Sequence, residues 1–204
     1  KLADLHLPAD DREFDYFCVK EAVMPFGRFP GSDVVLGPEM KSTGEVMGIA
    51  GNFPAAFTKT QLAIDYEPPR GGEVFISVND GDKRNITAIA RSIARLGFSL
   101  VATTGTARAL RASGIECEEV GKIHAGSHTI LDRIASGEIV LMINTPFGSS
   151  TNTDGYEMRA ACVRHGVSYC TTLAGAQALI AGMEAVRETG LDVIALQDLP
   201  QWEG

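Results

Sequence analysis

From residue 73 onward, short apolar runs rich in β-branched residues alternate with stretches whose apolar residues recur at helical spacing, and no other feature restricts the fold as tightly. Val74 to Val78 reads as a strand. Ile86, Ile89, Ala90, Ile93 and Ala94 then follow a helical period, with Gly97 placed as a helix C-cap. A strand at Phe98 to Ala102, a helix at Thr106 to Ala112 stopped by Gly114, and a short strand at Cys117 to Val120 continue the series. A helix at Thr129 to Ser136, closed by Gly137, precedes Ile139 to Ile143, an unbroken apolar run suited to the middle of a parallel sheet. A helix at Tyr156 to His165, a strand at Val167 to Thr171, a long helix at Leu173 to Glu188 and a strand at Val193 to Leu196 complete it. Strands separated by helices predict an α/β fold, a doubly wound parallel sheet covered on both faces.

Ligands of such sheets bind beyond the carboxyl ends of the strands. Four loops fall there: Asn79 to Lys83, Thr103 to Thr106, Asn144 to Gly155, and Thr171-Thr172. Thr103-Thr104-Gly105-Thr106 joins a strand directly to a helix. Such a junction aims backbone N–H groups and the positive end of the helix dipole at one spot, and Gly105 lets a phosphate approach without a Cβ in the way. The tetrad therefore reads as a phosphate cradle, although a plain structural turn is built from the same residue types.

Tyr66-Glu67-Pro68-Pro69-Arg70-Gly71-Gly72 breaks the chain, and residues 67–72 read as a linker. The 66 residues before it hold one strand (Phe14 to Lys20), a Pro/Gly-broken stretch (Pro25 to Pro38) and one short helix (Pro54 to Ile64). That is too little to close a core, so this section is expected to be the tail of a larger domain. Gly44 to Gly51 has the glycines of a phosphate loop without the Lys-Ser/Thr ending of a Walker motif. A net charge of -8 argues against general binding to nucleic acid or anionic membrane, both of which need basic surface. It leaves a small anionic ligand open. Cys18, Cys117, Cys162 and Cys170 form no C-x-x-C pair, which suits a reduced compartment; no membrane span or signal pattern is present, and a soluble cytoplasmic protein is expected. His124 and His128 are four apart, but Gly126 lies between them and no third ligand accompanies them, so no metal is expected. Trp202 reads as part of a loose tail.

Two sets of residues carry a family resemblance. Lys20 to Gly31 followed by Leu36-Gly37-Pro38-Glu39-Met40-Lys41-Ser42-Thr43-Gly44-Glu45-Val46-Met47-Gly48 closely resembles the end of the second ATP-grasp unit in the large chain of carbamoyl-phosphate synthetase. Ser77 to Lys83, Thr103 to Thr106, Lys122-Ile123-His124, Ile143-Asn144-Thr145 and Tyr169 to Leu173 resemble that enzyme's C-terminal regulatory domain, a member of the methylglyoxal-synthase-like superfamily. The resemblance spans residues 14 to 199. It divides the chain into an ATP-grasp remnant (1–66), the linker (67–72) and a methylglyoxal-synthase-like allosteric domain (73–204).

By position, the resemblance implies a nucleotide effector pocket made by Lys83, Thr103, Thr106, Lys122 and Asn144, for a UMP- or IMP-type monophosphate. Two ammonium groups and two hydroxyls at a helix N-terminus suit that ligand. Pro146 departs from the family pattern, offering neither N–H nor hydroxyl where relatives carry a hydroxyl residue. Glu21, Tyr169 and Thr171 match the family's ornithine site, where Cys170 replaces an acidic residue found in some relatives. The resemblance further implies a parent ligase that makes carbamoyl phosphate from glutamine and bicarbonate for pyrimidine and arginine synthesis. Its ATP, with Mg or Mn, would bind before Lys1; it would pair with a small glutamine amidotransferase subunit and oligomerise. The chain itself would hold no cofactor and no catalytic residue. A stand-alone methylglyoxal-synthase-type lyase is the rival, disfavoured because the loop after the central strand begins Asn144-Thr145-Pro146 rather than with an Asp base. Five of the site residues also have a plain reading: Lys83 and Lys122 as solvated lysines, Thr103 as a helix cap, Tyr169 as a core aromatic, Glu21 as a charge at a strand end.

Overall fold

The computed structural model describes residues 14–29, 33–121, 129–146 and 153–199. Among them, five parallel strands form one sheet in the order β5-β4-β3-β6-β7, with β3 (Glu73–Ser77) at the centre. Its neighbours are β4 (Ser99–Thr103) on one side and β6 (Ile139–Asn144) on the other; β5 (Glu118–Val120) and β7 (Ser168–Cys170) are the edges. The chain leaves β3 for β4 and β5, then returns to lay β6 against the other side of β3. The strand order therefore reverses at β3, where crevices open in doubly wound sheets.

The period-2 alternation of the strands divides the core. Val74, Ile76, Leu100, Ala102, Leu141 and Ile143 face α2 (Ile86–Arg95), α3 (Thr104–Ala112) and α6 (Leu173–Thr189). Phe75, Val101 and Met142 face α4 (Ile130–Ala135) and α5 (Thr153–His165). The sheet is thus covered on both faces, as the alternating pattern predicts. Gly97, Gly114, Gly137, Gly166 and Gly190 all follow helices with positive φ, the conformation that a left-handed helix stop requires.

The section before the sheet differs from expectation. Its first strand, β1, runs Phe17–Val23, and it pairs antiparallel with a second strand, β2 (Gly44–Ala50), which the sequence pattern does not announce. Three glycines in Gly44 to Gly51 mask the strand. Gly48 is there for packing: a Cβ on it would lie 2.0 Å from the carbonyl oxygen of Ala56, so only glycine lets α1 (Phe53–Ala63) cross β2 this closely. The glycine-rich stretch is a strand under a helix, and no phosphate loop. α1 in turn packs on α6, and Phe57 and Tyr66 join the apolar cluster on the α2/α6 side of the sheet.

The expected last strand at Val193 to Leu196 is absent. Val193 is 97% exposed, and a 3-10 turn spans Leu196–Asp198. β-branched residues pair only where an edge is offered, and no described strand pairs with this run. No described helix is long and apolar enough to cross a membrane.

Candidate functional site

Helix starts in this chain are mostly closed by their own side chains. Asn52 accepts from the Ala55 N–H at 2.9 Å at the start of α1, Thr129 and Asp132 form a capping box on α4, and Thr172 caps α6. α3 is different. Thr103 is extended (φ -65°, ψ 151°) and makes no side-chain cap hydrogen bond, so the first turn keeps its unpaired donors. The Thr103 hydroxyl turns away instead, donating to Thr106 Oγ1 at 3.3 Å and lying 3.4 Å from Ser77 Oγ.

These groups border a cavity of about 340 Å³ at the carboxyl ends of β3, β4, β5 and β6. Ser77, Thr103, Thr104, Gly105 and Asn144 form its polar side, while Val120, Ile130 and Met158 form an apolar wall. Lys83 reaches the rim: its ammonium pairs with Asp80 and would sit 2.9 Å from a Cβ built on Gly105. Thr106 is 1% exposed, and its hydroxyl accepts the Val78 N–H at 3.3 Å; it braces the loop from behind Thr103. Asn144, 6% exposed, donates to the Ser77 carbonyl at 3.1 Å. Thr145 receives both the backbone N–H (3.0 Å) and the side-chain amide (3.1 Å) of Asn79, tying the loops after β3 and β6 together.

Of the five nucleotide-site residues expected from the sequence, the fold brings Lys83, Thr103, Thr106 and Asn144 to one place. Lys122 lies outside the described residues, as do His124, His128 and Trp202; Gly121, just before Lys122, lines the cavity. Among the described residues no group of three or more His, Cys, Asp or Glu is placed to hold a metal ion.

A family model for the MGS-like domain matches residues 85–171, which contain α3, β6 and the α5 side of this cavity. Those residues are an MGS-like domain. Over its greater length the chain corresponds to the C-terminal region of carbamoyl phosphate synthase large chains. The C-terminal section of that large chain from Methanopyrus kandleri is 50% identical over 199 residues, which is 97% of this chain and 37% of that protein. The large chain of Myxococcus xanthus is 47% identical over 186 residues, covering 91% of this chain and 17% of its own length. The chain therefore spans well under half of the relatives it matches. Among solved structures, a methylglyoxal synthase from Elizabethkingia anophelis aligns over 55% of this chain and 78% of its own at 18% identity, with a TM-score of 0.46.

One residue of the MGS-like domain's cavity is not foreseen from the sequence. Arg159, on α5, is 5% exposed and donates from Nη1 to Asn144 Oδ1 at 2.9 Å. Its signal is faint: a lone arginine among Met158, Ala161 and Cys162, four residues after a helix glycine. A Cβ at Gly155 would lie 3.0 Å from Arg159 Nη1, so that glycine leaves room for the guanidinium beside the helix. Arg159 is paired from outside the MGS-like domain by Asp33, with Nε to Oδ1 at 2.8 Å and Nη2 to Oδ2 at 2.6 Å. Burial acts to raise the Asp33 pKa; hydrogen bonds from Arg159 and the Val35 N–H, with the arginine's charge, outweigh it and hold the carboxyl below its ordinary value.

The three expected ornithine residues are arranged more loosely. Glu21 accepts from the Thr60 hydroxyl at 2.7 Å and from the Gln61 side-chain amide, both on α1. Alternation along β7 sends Tyr169 to the α4/α5 cluster and Cys170 to the α2/α6 cluster. Burial pushes both groups up to about 12, with the Glu21 charge adding to the effect on Cys170. No described hydrogen bond joins Glu21 to Tyr169 or Thr171.

Proposed function

We propose that the cavity at the start of α3 is an effector site for a nucleoside monophosphate of the UMP or IMP type, and that the chain regulates a carbamoyl-phosphate-synthesising ligase without catalysing a step itself. The observation that carries this reading is the uncapped N-terminus of α3, with Thr103 and Thr104 beside it and Lys83 over Gly105, opening onto an apolar wall. An anion suits the first end and a planar base the second. The volume lies in the range of small-molecule sites, about 300–1,000 Å³. Pro146 on the lining gives no N–H, so recognition of the base falls to neighbouring groups.

The parent assembly follows from the same reading. ATP with Mg or Mn would act in a part of the large chain upstream of these residues, a small glutamine amidotransferase subunit would supply ammonia, and the whole would oligomerise. Ornithine would bind near Glu21, Tyr169 and Thr171, between the β1/β2 section and the sheet.

The test is thermal unfolding of the full chain with UMP, IMP and ornithine, for wild type and Lys83→Ala. A ligand that binds only the native form raises Tm, by about 5 to 10 °C for a chain of this size at a hundredfold excess over Kd. UMP is expected to stabilise wild type, and the substitution to remove most of the shift. Equal shifts in the two proteins would reject the site. Asp154 is the one carboxylate among the described lining residues, so the lyase rival is checked directly by incubating the chain with dihydroxyacetone phosphate. Methylglyoxal formation would overturn the effector reading.

A further inference from the structure

We infer that Asp33, a residue of the β1–β2 connection, is a positioning residue for the effector site, so that the pocket of the MGS-like domain is complete only when the section before it is docked. The inference rests on the nucleotide reading above and adds to it a link to the preceding section.

The argument begins with burial. A guanidinium that is 5% exposed needs a counter-charge, because water no longer solvates it. Among the described residues Arg159 makes one ion pair, the two-pronged contact with Asp33. That contact uses Nε and Nη2 and fixes the plane of the guanidinium. The fixed plane aims Nη1 at Asn144 Oδ1, and this defines the Asn144 amide: its oxygen faces Arg159 and its nitrogen faces the Ser77 carbonyl. Both Arg159 and Asn144 line the cavity, whereas Asp33 does not. Asp33 therefore acts on a ligand only through Arg159. By reciprocity, a ligand that needs this arrangement tightens the Asp33 contact as much as the contact tightens the ligand. The carboxylate is itself held by the Val35 N–H at 3.2 Å, so the backbone of residues 33–35 feels that tightening.

Titration calorimetry on the full chain tests this, with UMP and IMP as probes and wild type, Asp33→Asn, Arg159→Met and the double variant compared. Asp33→Asn is expected to weaken the bound nucleotide about tenfold, within the usual range of coupling between sites. In the Arg159→Met background the same change is expected to alter affinity less than twofold, since the partner through which it acts is gone; a general loss of stability would add to both backgrounds. Hydrogen exchange supplies a readout that needs no variant to fold: nucleotide is expected to slow the Val34 and Val35 amides of wild type. Wild-type affinity retained within twofold by a folded Asp33→Asn, or a gain in affinity from removing the negative charge, would overturn the inference and leave the nucleotide reading standing. Unchanged exchange at Val34 and Val35 in the nucleotide-bound wild type would do the same. Absence of UMP and IMP binding to wild type would sink both.

Discussion

Gly105 is a position where the proposed binding and the stability of the fold can be separated. A Cβ there would meet only Lys83 Nζ at 2.9 Å and Cε at 3.5 Å, the far end of a flexible side chain. The lysine has room to swing away, so Gly105→Ala costs the fold little, and alanine's better helix propensity opposes what cost there is. The ammonium, however, leaves the one place where it overhangs the helix start. Gly105→Ala is expected to keep Tm within a few degrees of wild type while weakening UMP about tenfold or more, the cost of one charge-assisted hydrogen bond. Calorimetry beside thermal melts checks this, and a fall in Tm without a fall in affinity would refute it. The tetrad around Gly105 is legible from residue types alone, because a strand running straight into a helix leaves donors whatever the tertiary context. Arg159 and Asp33 are not legible. They are 126 residues apart, and nothing local announces that one will neutralise the other.

Elements with a strong period are readable from sequence, and their ends shift only by a few residues. The β1/β2 pair shows why the rest is not. β2 carries Gly48 because a helix lies on it, so its local propensity contradicts its role, and only the presence of α1 resolves the conflict at that position. Val193 to Leu196 fails for the opposite reason: its local propensity is good, but no described strand pairs with it. Among the described elements, the crossing of α1 and α6 is the most extensive contact joining the two sections, and it turns on Gly182. A Cβ there would lie 2.3 Å from Thr58 Oγ1 and 3.3 Å from the Pro54 carbonyl oxygen. Gly182→Ala is expected to cost about 2 kcal/mol through overpacking. Thr58→Ala removes the colliding hydroxyl, which otherwise donates to Pro54 O at 2.9 Å. The double variant should therefore recover at least half of that loss, a coupling that urea melts of all four proteins would measure. Strict additivity would mean that the helices part rather than collide.

Among the described residues, two thiols and two phenols whose pKa is raised by burial gather around β7 and α5, where the two apolar layers flank the sheet. Cys117, also raised by burial, stands apart beside β5. Burial pushes the Cys162 thiol up to about 12, the Cys170 thiol to about 12, and the hydroxyls of Tyr66 and Tyr169 to about 12. Cys162 is the firmest of these, with no surface exposed and the Met142 sulfur 3.8 Å away. Cys170 is half-buried as a residue, with Glu21 adding its charge to the burial of the thiol. The native chain holds these protons where the unfolded chain, with thiols near 9 and phenols near 10, has released them. Stability from these groups is thus complete below pH 9 and is lost as pH climbs from there toward 12. Each tenfold difference in proton affinity between the two states is worth about 1.4 kcal/mol. The shifts are partly shared, since the charges of Cys162 and Cys170 contribute to those of the tyrosines, so the combined loss by pH 11 is on the order of a few kcal/mol. Urea midpoints are expected to hold between pH 7 and 8.5 and then fall steeply. Cys162→Ala should start lower and fall less, because it lacks one of the protons being pulled away. A midpoint that stays level to pH 11 in wild type would mean that solvent reaches the layer beneath α5, and the same solvent would reach the Arg159 pairing that frames the proposed effector pocket.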